Sequence, residues 1–261
     1  MCRHLAYLGP PVPLAGLLLT APHALARQSW APLDMRGGGT INADGFGVGW
    51  YPPGGGPPVR YRSAAPMWAD AALPGLAAAT VTGACCAAVR SATVGMPVVA
   101  TAAAPFAEGR WLFSHNGVVT GWPDTVVPLA ARLPVRDLLT LDAPTDAALL
   151  WALVRDRLRA GAPPADAICT VVARVAAAAP GSRLNLLLTD GETIVASTAG
   201  HALSVRTDTT SVTVASEPLD PGPHWRSVPD GHLLVATTST LALTPIGTTE
   251  GDHERVGDPP R

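Results

Sequence analysis

Glycine and proline make up about a fifth of this chain of 261 residues, with 26 glycines and 27 prolines. Proline breaks the interior of a helix and glycine weakens it, so neither residue suits a long regular element. This content argues against a helical bundle or coiled coil and predicts many short elements joined by turns. Hydrophobic residues form 48% of the chain, which excludes an intrinsically disordered polymer.

The order of the predicted elements indicates an α+β fold. Two consecutive helices, over 146–160 and 164–178, lie between an earlier and a later group of strands. Thr145 is a good N-cap for the first helix, and Gly161 is a good stop. This order lacks the alternation of a doubly wound sheet and suits antiparallel sheets layered with helices. Shorter helices are predicted over 13–19 and 69–79. The predicted strands cover 1–10, 45–51, 59–63, 81–89, 110–115, 185–189, 193–197, 211–215, 233–236 and 241–244.

Two glycine motifs have a structural interpretation. Residues 45–49 have the spacing GxGxG, but no helix follows them, so they do not form a dinucleotide-binding loop. They fit a strand against which another backbone packs closely. Asp190-Gly191 predicts a hairpin turn between two of the later strands. Gly37-Gly38-Gly39 predicts a flexible loop, and the polar segment 247–261 predicts a disordered tail.

Charge and hydropathy exclude several classes of function. With 18 basic and 20 acidic residues the net charge is −2, and no basic cluster is present, which argues against a nucleic-acid partner. No apolar run reaches the ~20 residues of a transmembrane helix, so no membrane partner is expected. The seven histidines show no paired metal-ligand spacing, and neither a metal nor a cofactor is expected. The sequence leaves a homo-oligomer open.

The cysteines indicate a reducing compartment. Their spacing matches no zinc site and no redox pair, and four cysteines do not make a disulfide scaffold, so a cytoplasmic location is expected. Cys85 and Cys86 lie in an apolar run and are expected to be buried on opposite faces of a strand. Export is the alternative, because Arg3, the apolar residues 13–20 and Ala24-Leu25-Ala26 imitate a signal peptide. Cleavage after Ala26 would remove Cys2.

Cys2 is the first candidate for chemistry. Aminopeptidases remove Met1 when the second side chain is small, and removal would place an α-amino group of pKa ~8 on the same residue as a thiol of pKa ~8.5. A neutral amine can then act as the general base for the sulfur. The alternative is that Cys2 is an ordinary residue near a chain end.

Three further candidates also have two interpretations each. Asn116-Gly117 is a hairpin signal, but an Asn side chain and a Gly N–H can also hold an oxyanion. Arg90 ends an apolar strand, where it could reach water or grip a carboxylate. Asp146 lies in the first turn of the best helix, where it could complement the helix dipole or bind an ammonium group.

The order of these features resembles the class II glutamine amidotransferase family, a group of N-terminal-nucleophile hydrolases. The similarity extends over roughly residues 2–245 and is carried by five stretches of sequence. These are Met1-Cys2-Arg3, Asn42 to Tyr51, Arg90 to Gly95, Phe113 to Gly117 and Thr145-Asp146.

The resemblance implies a four-layer αββα sandwich with two mainly antiparallel sheets, formed by one domain over 2–246. It implies that Cys2 is the nucleophile and its amine the acid/base, while Asn116 and Gly117 form the oxyanion hole. Arg90 and Asp146 would hold the α-carboxylate and α-amino groups of a glutamyl unit. Thr93 would line the pocket, and His115 would have a structural role beside the substrate.

Within the family, the chain is most similar to stand-alone γ-glutamyl hydrolases of ergothioneine biosynthesis, which act on γ-glutamyl-hercynylcysteine S-oxide. This small molecule is the implied partner, and its trimethylammonium group suggests contact with one of the tryptophans other than Trp151. Alternatives are another γ-glutamyl compound, ammonia donation to a synthase, or an exported non-catalytic domain. The chain has Ala147-Ala148 where many members have a hydroxyl or acidic residue, and its length leaves no room for a fused synthase, which favours simple hydrolysis.

Overall fold

The computed structural model describes residues 2–36 and 41–247, in which thirteen strands form two antiparallel sheets. The strands are β1 (Arg3–Pro13), β2 (Phe46–Trp50), β3 (Val59–Ser63), β4 (Val81–Val89), β5 (Phe106–Glu108), β6 (Trp111–Val118), β7 (Arg183–Thr189), β8 (Ile194–Ser197), β9 (Ser204–Thr207), β10 (Val212–Ala215), β11 (Trp225–Ser227), β12 (His232–Ala236) and β13 (Leu241–Pro245). The first sheet has the order β11-β9-β10-β1-β4-β2-β3, and the second has the order β13-β12-β8-β7-β6-β5.

Helices cover the outer face of each sheet. The α-helices of the described residues are α1 (Leu25–Gln28), α2 (Leu73–Ala79), α3 (Val127–Ala130), α4 (Val135–Leu139), α5 (Asp146–Arg159) and α6 (Pro164–Ala178). The Thr145 hydroxyl accepts a hydrogen bond from Ala148 N–H and so caps α5, as the sequence predicts. A π-helical turn at Gly16–Thr20 precedes α1. No described helix has both the length and the apolar content to cross a membrane.

Side-chain alternation along the strands produces the layers. On β4, Cys85 and Ala87 pack in an apolar cluster with Leu18 and Leu73, which come from the helical segments outside the first sheet. Cys86 points the other way and joins a second cluster with Leu187 of β7, between the two sheets. A third cluster packs α5 and α6 on the outer face of the second sheet. The layers are therefore helix, sheet, sheet and helix, and the predicted αββα sandwich is confirmed.

The segment that imitates a signal peptide is an integral part of this core. β1 lies in the middle of the first sheet, paired with β10 on one side and β4 on the other. Leu14, Leu18 and Leu25 are fully buried. Cleavage after Ala26 would therefore remove a central strand together with part of the core that covers it.

The structure confirms the long predicted elements and corrects one turn. β3, β4 and α6 have the predicted bounds, and Asp190-Gly191 does join β7 to β8. The interpretation of Asn116-Gly117 as a hairpin turn is wrong, because both residues lie within β6 and pair with β7. The short strands β5, β9 and β11 were not predicted. The predicted loop at Gly37-Gly38-Gly39 lies outside the described residues, as does the predicted tail after Gly247.

The glycines of β2 allow the predicted close approach between layers. A Cβ on Gly47 would lie 2.4 Å from the carbonyl oxygen of Ala104. A Cβ on Gly49 would lie 2.8 Å from Leu112 of the second sheet. Because both contacts are shorter than van der Waals distances, larger residues here would force the two sheets apart.

We expect Gly47→Ala to lower the free energy of unfolding by about 1–3 kcal/mol, because the new methyl group collides with backbone that cannot rotate away. Gly75→Ala is the matched control. Gly75 lies in α2 with no atom near its virtual Cβ, so alanine there should stabilise by about 0.5–1 kcal/mol. Urea unfolding of both variants measures the two effects. Equal stability of the two variants would contradict the proposed packing.

Candidate active site

Cys2 lies just before the first paired residue of β1, at the edge of a cavity. The ladder to β4 begins at Arg3 and Val89, so Cys2 extends one residue beyond it. Its side chain is partly exposed, and its Sγ lies 3.8 Å from the carbonyl oxygen of Ser91. A nucleophile needs this partial access, since it has to meet a ligand.

The remaining thiols are poor candidates for the nucleophile. Cys85 and Cys86 are fully buried on opposite faces of β4, as predicted. Burial raises the pKa of Cys85 to about 12 and raises the pKa of Cys86 further. Burial also raises the pKa of Cys169, which lies on α6. Cys2 is the only cysteine of the described residues that lines the cavity.

The cavity collects residues from five separate stretches of the chain. Its walls come from Cys2, the end of β4 with the loop after it, residues 102–106, β6 and the start of α5. Six of the seven predicted site residues line it, and these are Cys2, Arg90, Thr93, His115, Gly117 and Asp146. Asn116 is not among the lining residues. The motifs that are distant in sequence therefore meet at one place.

Arg90 and Asp146 are two opposite charges that no ion pair satisfies. Both are more than nine-tenths buried, yet neither forms a salt bridge within residues 2–36 and 41–247. One guanidinium nitrogen of Arg90 donates to the carbonyl of Pro97 at 2.8 Å, which leaves other donors free. The carboxylate of Asp146 accepts the N–H groups of Val119 and Ala147 at 3.1 and 2.7 Å.

This arrangement suits a zwitterion. A buried charge normally has a partner, because burial without one costs several kcal/mol. A cation and an anion held apart in one cavity therefore fit a ligand that carries the opposite pair, such as the α-carboxylate and α-ammonium groups of an amino acid. Cys2 lines the same cavity.

Asn116 and Gly117 are adjacent on β6 but have different surroundings. The side chain of Asn116 is buried, and its Nδ2 lies 3.3 Å from Ser216 Oγ, while its Oδ1 has no partner among the residues that the structure describes. Gly117 lines the cavity. A Cβ there would lie 1.8 Å from the carbonyl oxygen of Arg183, so only glycine fits. His115 Nε2 also contacts that carbonyl oxygen, at 3.0 Å, and so packs beside Gly117.

Two histidines, His4 and His201, have pKa values far below the ordinary value for the residue. His4 Nδ1 lies 3.2 Å from Ser114 Oγ, and burial, with help from His115, His201 and Arg3, lowers the pKa of His4 to about 3. Burial and Arg183 lower the pKa of His201 to about 3 as well. A group with such a pKa is a weak base near pH 7. Neither imidazole therefore suits the role of general base for Cys2.

The sequence analysis missed one buried ion pair beside Cys2. Arg3 Nε lies 2.8 Å from Glu217 Oε1, and Arg3 Nη1 donates to the carbonyl oxygen of Cys2 at 3.0 Å. The sequence analysis names Arg3 only in the apparent signal peptide and in the Met1-Cys2-Arg3 stretch of the family resemblance. Glu217 lies 214 residues away and belongs to no motif, so no sequence signal linked the two.

The tryptophans and the side chains that could bind a metal ion lie as follows. None of the seven tryptophans lines it in the described part of the chain, so the suggested tryptophan contact has no support in the lining. Trp151 is buried and stacks on Phe113, as predicted for a core residue. Over the same residues, no group of three or more His, Cys, Asp or Glu side chains is arranged to hold a metal ion.

Comparisons with known proteins find similar chains. A family model described as class II glutamine amidotransferases matches residues 14–210. A protein from Mycolicibacterium smegmatis named gamma-glutamyl-hercynylcysteine sulfoxide hydrolase is 39% identical over 246 residues, which cover 94% of this chain and all of that protein. A protein of the same name from Mycobacterium tuberculosis H37Rv is 39% identical over 251 residues, covering 96% of this chain and 99% of the relative.

A solved structure shows the same fold. Glutamine phosphoribosylpyrophosphate amidotransferase from Bacillus subtilis matches with a TM-score of 0.66 at 14% identity, covering 95% of this chain and 50% of that one. The family model and the relatives lead to the same assignment. This chain belongs to the class II glutamine amidotransferase family.

Proposed function

We propose that this protein hydrolyses the γ-glutamyl amide bond of γ-glutamyl-hercynylcysteine S-oxide and releases glutamate and hercynylcysteine S-oxide. The observation that carries the glutamyl part is the pair of buried, unpaired charges, Arg90 and Asp146, in the cavity of Cys2. The leaving group is supported by the relatives of that name, which match this chain over nearly its whole length and theirs. We place the reaction in the cytoplasm, where Cys2 stays reduced.

The proposed catalytic unit is a single domain over residues 2–246. The three apolar clusters draw on strands from β1 to β13 and on the helices between them. Leu5 of β1 and Ala215 of β10 are register partners in one sheet. The two ends of the described chain therefore belong to the same packed structure.

Binding would begin with the glutamyl head group. Arg90 would take its α-carboxylate through the donors not used by Pro97, and Asp146 would take its α-ammonium group. Holding both groups on the α-carbon presents the γ-carbonyl at the other end of the unit to Cys2 Sγ, and this positioning removes part of the entropic barrier. Thr93 lines the same cavity and would contact the glutamyl unit.

Chemistry would follow in two steps. The freed α-amino group of Cys2 takes the thiol proton, and the sulfur attacks the γ-carbonyl to give a tetrahedral oxyanion. Gly117 N–H would stabilise that oxyanion, together with the second N–H of the Asn116 carboxamide, whose first N–H donates to Ser216 Oγ. The amine returns the proton to the leaving nitrogen as the C–N bond breaks, and the cysteinyl product departs. Water then hydrolyses the γ-glutamyl thioester, releasing glutamate and the free thiol.

We expect Cys2→Ala to abolish glutamate release from the S-oxide conjugate while leaving the melting temperature within a few degrees of the native value. The side chain is partly exposed and outside the three apolar clusters, so its loss costs little packing. Cys169→Ala is the matched control, since Cys169 lies outside the cavity, and it should keep full activity. Glutamate release by Cys2→Ala at the native rate would end the proposal.

The same assay identifies the leaving group. Glutamate release should be fastest from γ-glutamyl-hercynylcysteine S-oxide in a panel that also contains glutathione and glutamine. Faster release from glutathione or glutamine would support γ-glutamyl hydrolysis as the reaction but would contradict the proposed leaving group.

We expect Asp146→Asn to raise KM for the γ-glutamyl substrate roughly 10- to 150-fold, the equivalent of a lost charge-assisted hydrogen bond of about 1.5–3 kcal/mol. Asp166→Asn is the control, because Asp166 also lies in the first turn of a helix but outside the cavity. Both substitutions weaken the interaction with a helix dipole. Only Asp146→Asn should change KM in steady-state assays, and an equal effect of both would favour the dipole interpretation.

A further inference from the structure

Cys2 has few fixed contacts for a residue that must aim a sulfur. It precedes the first ladder pair of β1, and the contact of its Sγ with Ser91 is long, at 3.8 Å. Among residues 2–36 and 41–247, the one short side-chain hydrogen bond to its backbone comes from Arg3, whose Nη1 donates to the Cys2 carbonyl oxygen at 3.0 Å. That bond restrains rotation about the bond between Cα and the carbonyl carbon of Cys2.

The guanidinium group of Arg3 is itself held rigidly. Its Nε donates to Glu217 Oε1 at 2.8 Å, and its Nη2 donates to the carbonyl oxygen of Asp34. Arg3 and Glu217 are each only 2% exposed. The planar fork therefore has three acceptors in three directions, a geometry that the single ammonium group of a lysine does not reproduce.

Glu217 is fixed in turn by the elements around it. Its Oε2 accepts the N–H of Leu33 at 2.8 Å and lies 2.7 Å from His23 Nε2. Burial would raise the pKa of Glu217, but the hydrogen bonds from His23 and Leu33 together with the charge of Arg3 outweigh it and lower the pKa below the ordinary value. Glu217 follows Ser216, whose N–H donates to the carbonyl oxygen of His4. The Arg3–Glu217 ion pair therefore links β1 to the segment just after β10.

We propose that Arg3 is a positioning residue for the nucleophile, with Glu217 as the anchor that holds its guanidinium group against the Cys2 carbonyl oxygen. A buried ion pair is a weak source of stability, because an apolar pair of similar size often serves as well. An apolar pair could not donate to the Cys2 carbonyl. The inference rests on the proposed role of Cys2 as nucleophile and concerns a residue that does not touch the substrate.

The consequence is a specific effect on turnover. A nucleophile displaced by about 1 Å loses on the order of 10²-fold in rate, while the groups that bind the substrate remain in place. Loss of the Arg3 fork should therefore lower kcat and leave KM almost unchanged. A purely structural role would lower stability without this separation of kcat from KM.

The test compares Arg3→Lys with Arg155→Lys in the full chain. Arg155 also forms a buried ion pair, with Asp137 at 3.1 Å, but lies outside the cavity, so its replacement controls for the loss of a buried guanidinium group. The first readout is glutamate release. The second is labelling of Cys2 by 6-diazo-5-oxo-L-norleucine, which carries the α-groups of glutamate and a reactive carbon near the position of the γ-amide. The thiol transfers its proton and its sulfur to that carbon as dinitrogen leaves, and the compound lacks the hercynylcysteine group.

We expect Arg3→Lys to lower kcat and the maximal labelling rate about 10²-fold, with KM and the half-saturating label concentration within threefold of the native values. Arg155→Lys should keep both rates. Intact-mass measurement verifies that each sample begins at Cys2. If Arg3→Lys fails to fold, the neutral double variant Arg3→Met with Glu217→Gln replaces it, with the same expected loss of rate.

The outcomes separate the two proposals. A native protein that the diazo compound does not label at Cys2 would reject the glutamyl site itself. Native labelling without glutamate release from the S-oxide conjugate would reject only the leaving group. Native labelling with an Arg3 variant that labels at the native maximal rate would overturn the positioning role, as would a loss of rate shared equally by Arg155→Lys.

Discussion

β1 has hydrogen-bonded partners on both sides, and the candidate site depends on this pairing. β10 pairs along one edge of β1 and β4 along the other, so the strand cannot move without breaking two ladders. Cys2 extends from the end of this strand, and Arg90 directly follows the paired end of β4. The register Arg3 to Val89 therefore sets the distance between the candidate nucleophile and the residue proposed to hold the substrate carboxylate.

The period of the strand also decides which way each residue faces. Ala6 and Leu8 of β1 point toward the second sheet, as does His4, which contacts Ser114 of β6. Leu5 points toward the outer helices, and Arg3 meets Glu217 on that side. Because the period is two, a shift by one residue would exchange the two sets. The residues of β1 therefore alternate between a face that points toward the second sheet and a face that packs against the outer helices and Glu217.

The sequence predicts an element well when its residue pattern is long or when residues with strong local preferences mark its ends. The helix α5 has an N-cap at Thr145 and ends before Gly161, and both residues are visible in the sequence. Strands of three residues, such as β5 and β11, are too short to show a period. The prediction of a turn at Asn116-Gly117 is wrong, because glycine is required at position 117 for another reason. The carbonyl group of Arg183 in β7 approaches Gly117 closely and leaves no room for a side chain. That approach is a tertiary contact, which a local propensity does not report.

The candidate site also has one part that the sequence predicts and one part that it does not. The resemblance to the family implies that Arg90, Gly117 and Asp146 belong with Cys2, and the structure brings them to one cavity. The Arg3–Glu217 pair could not be predicted, because it joins residues 214 positions apart and only the pairing of β1 with β10 makes them neighbours.

The two arginines show how context separates binding from support. Arg90 lines the cavity without an acidic partner among the described residues, while each of the three side-chain nitrogens of Arg3 donates to Glu217 or to a carbonyl oxygen outside the cavity lining. An arginine with free donors in a cavity can bind a ligand, whereas one whose three nitrogens are all engaged by the protein holds its neighbours in place. The sequence shows two arginines near apolar strands, and their hydrogen-bond partners distinguish the two roles.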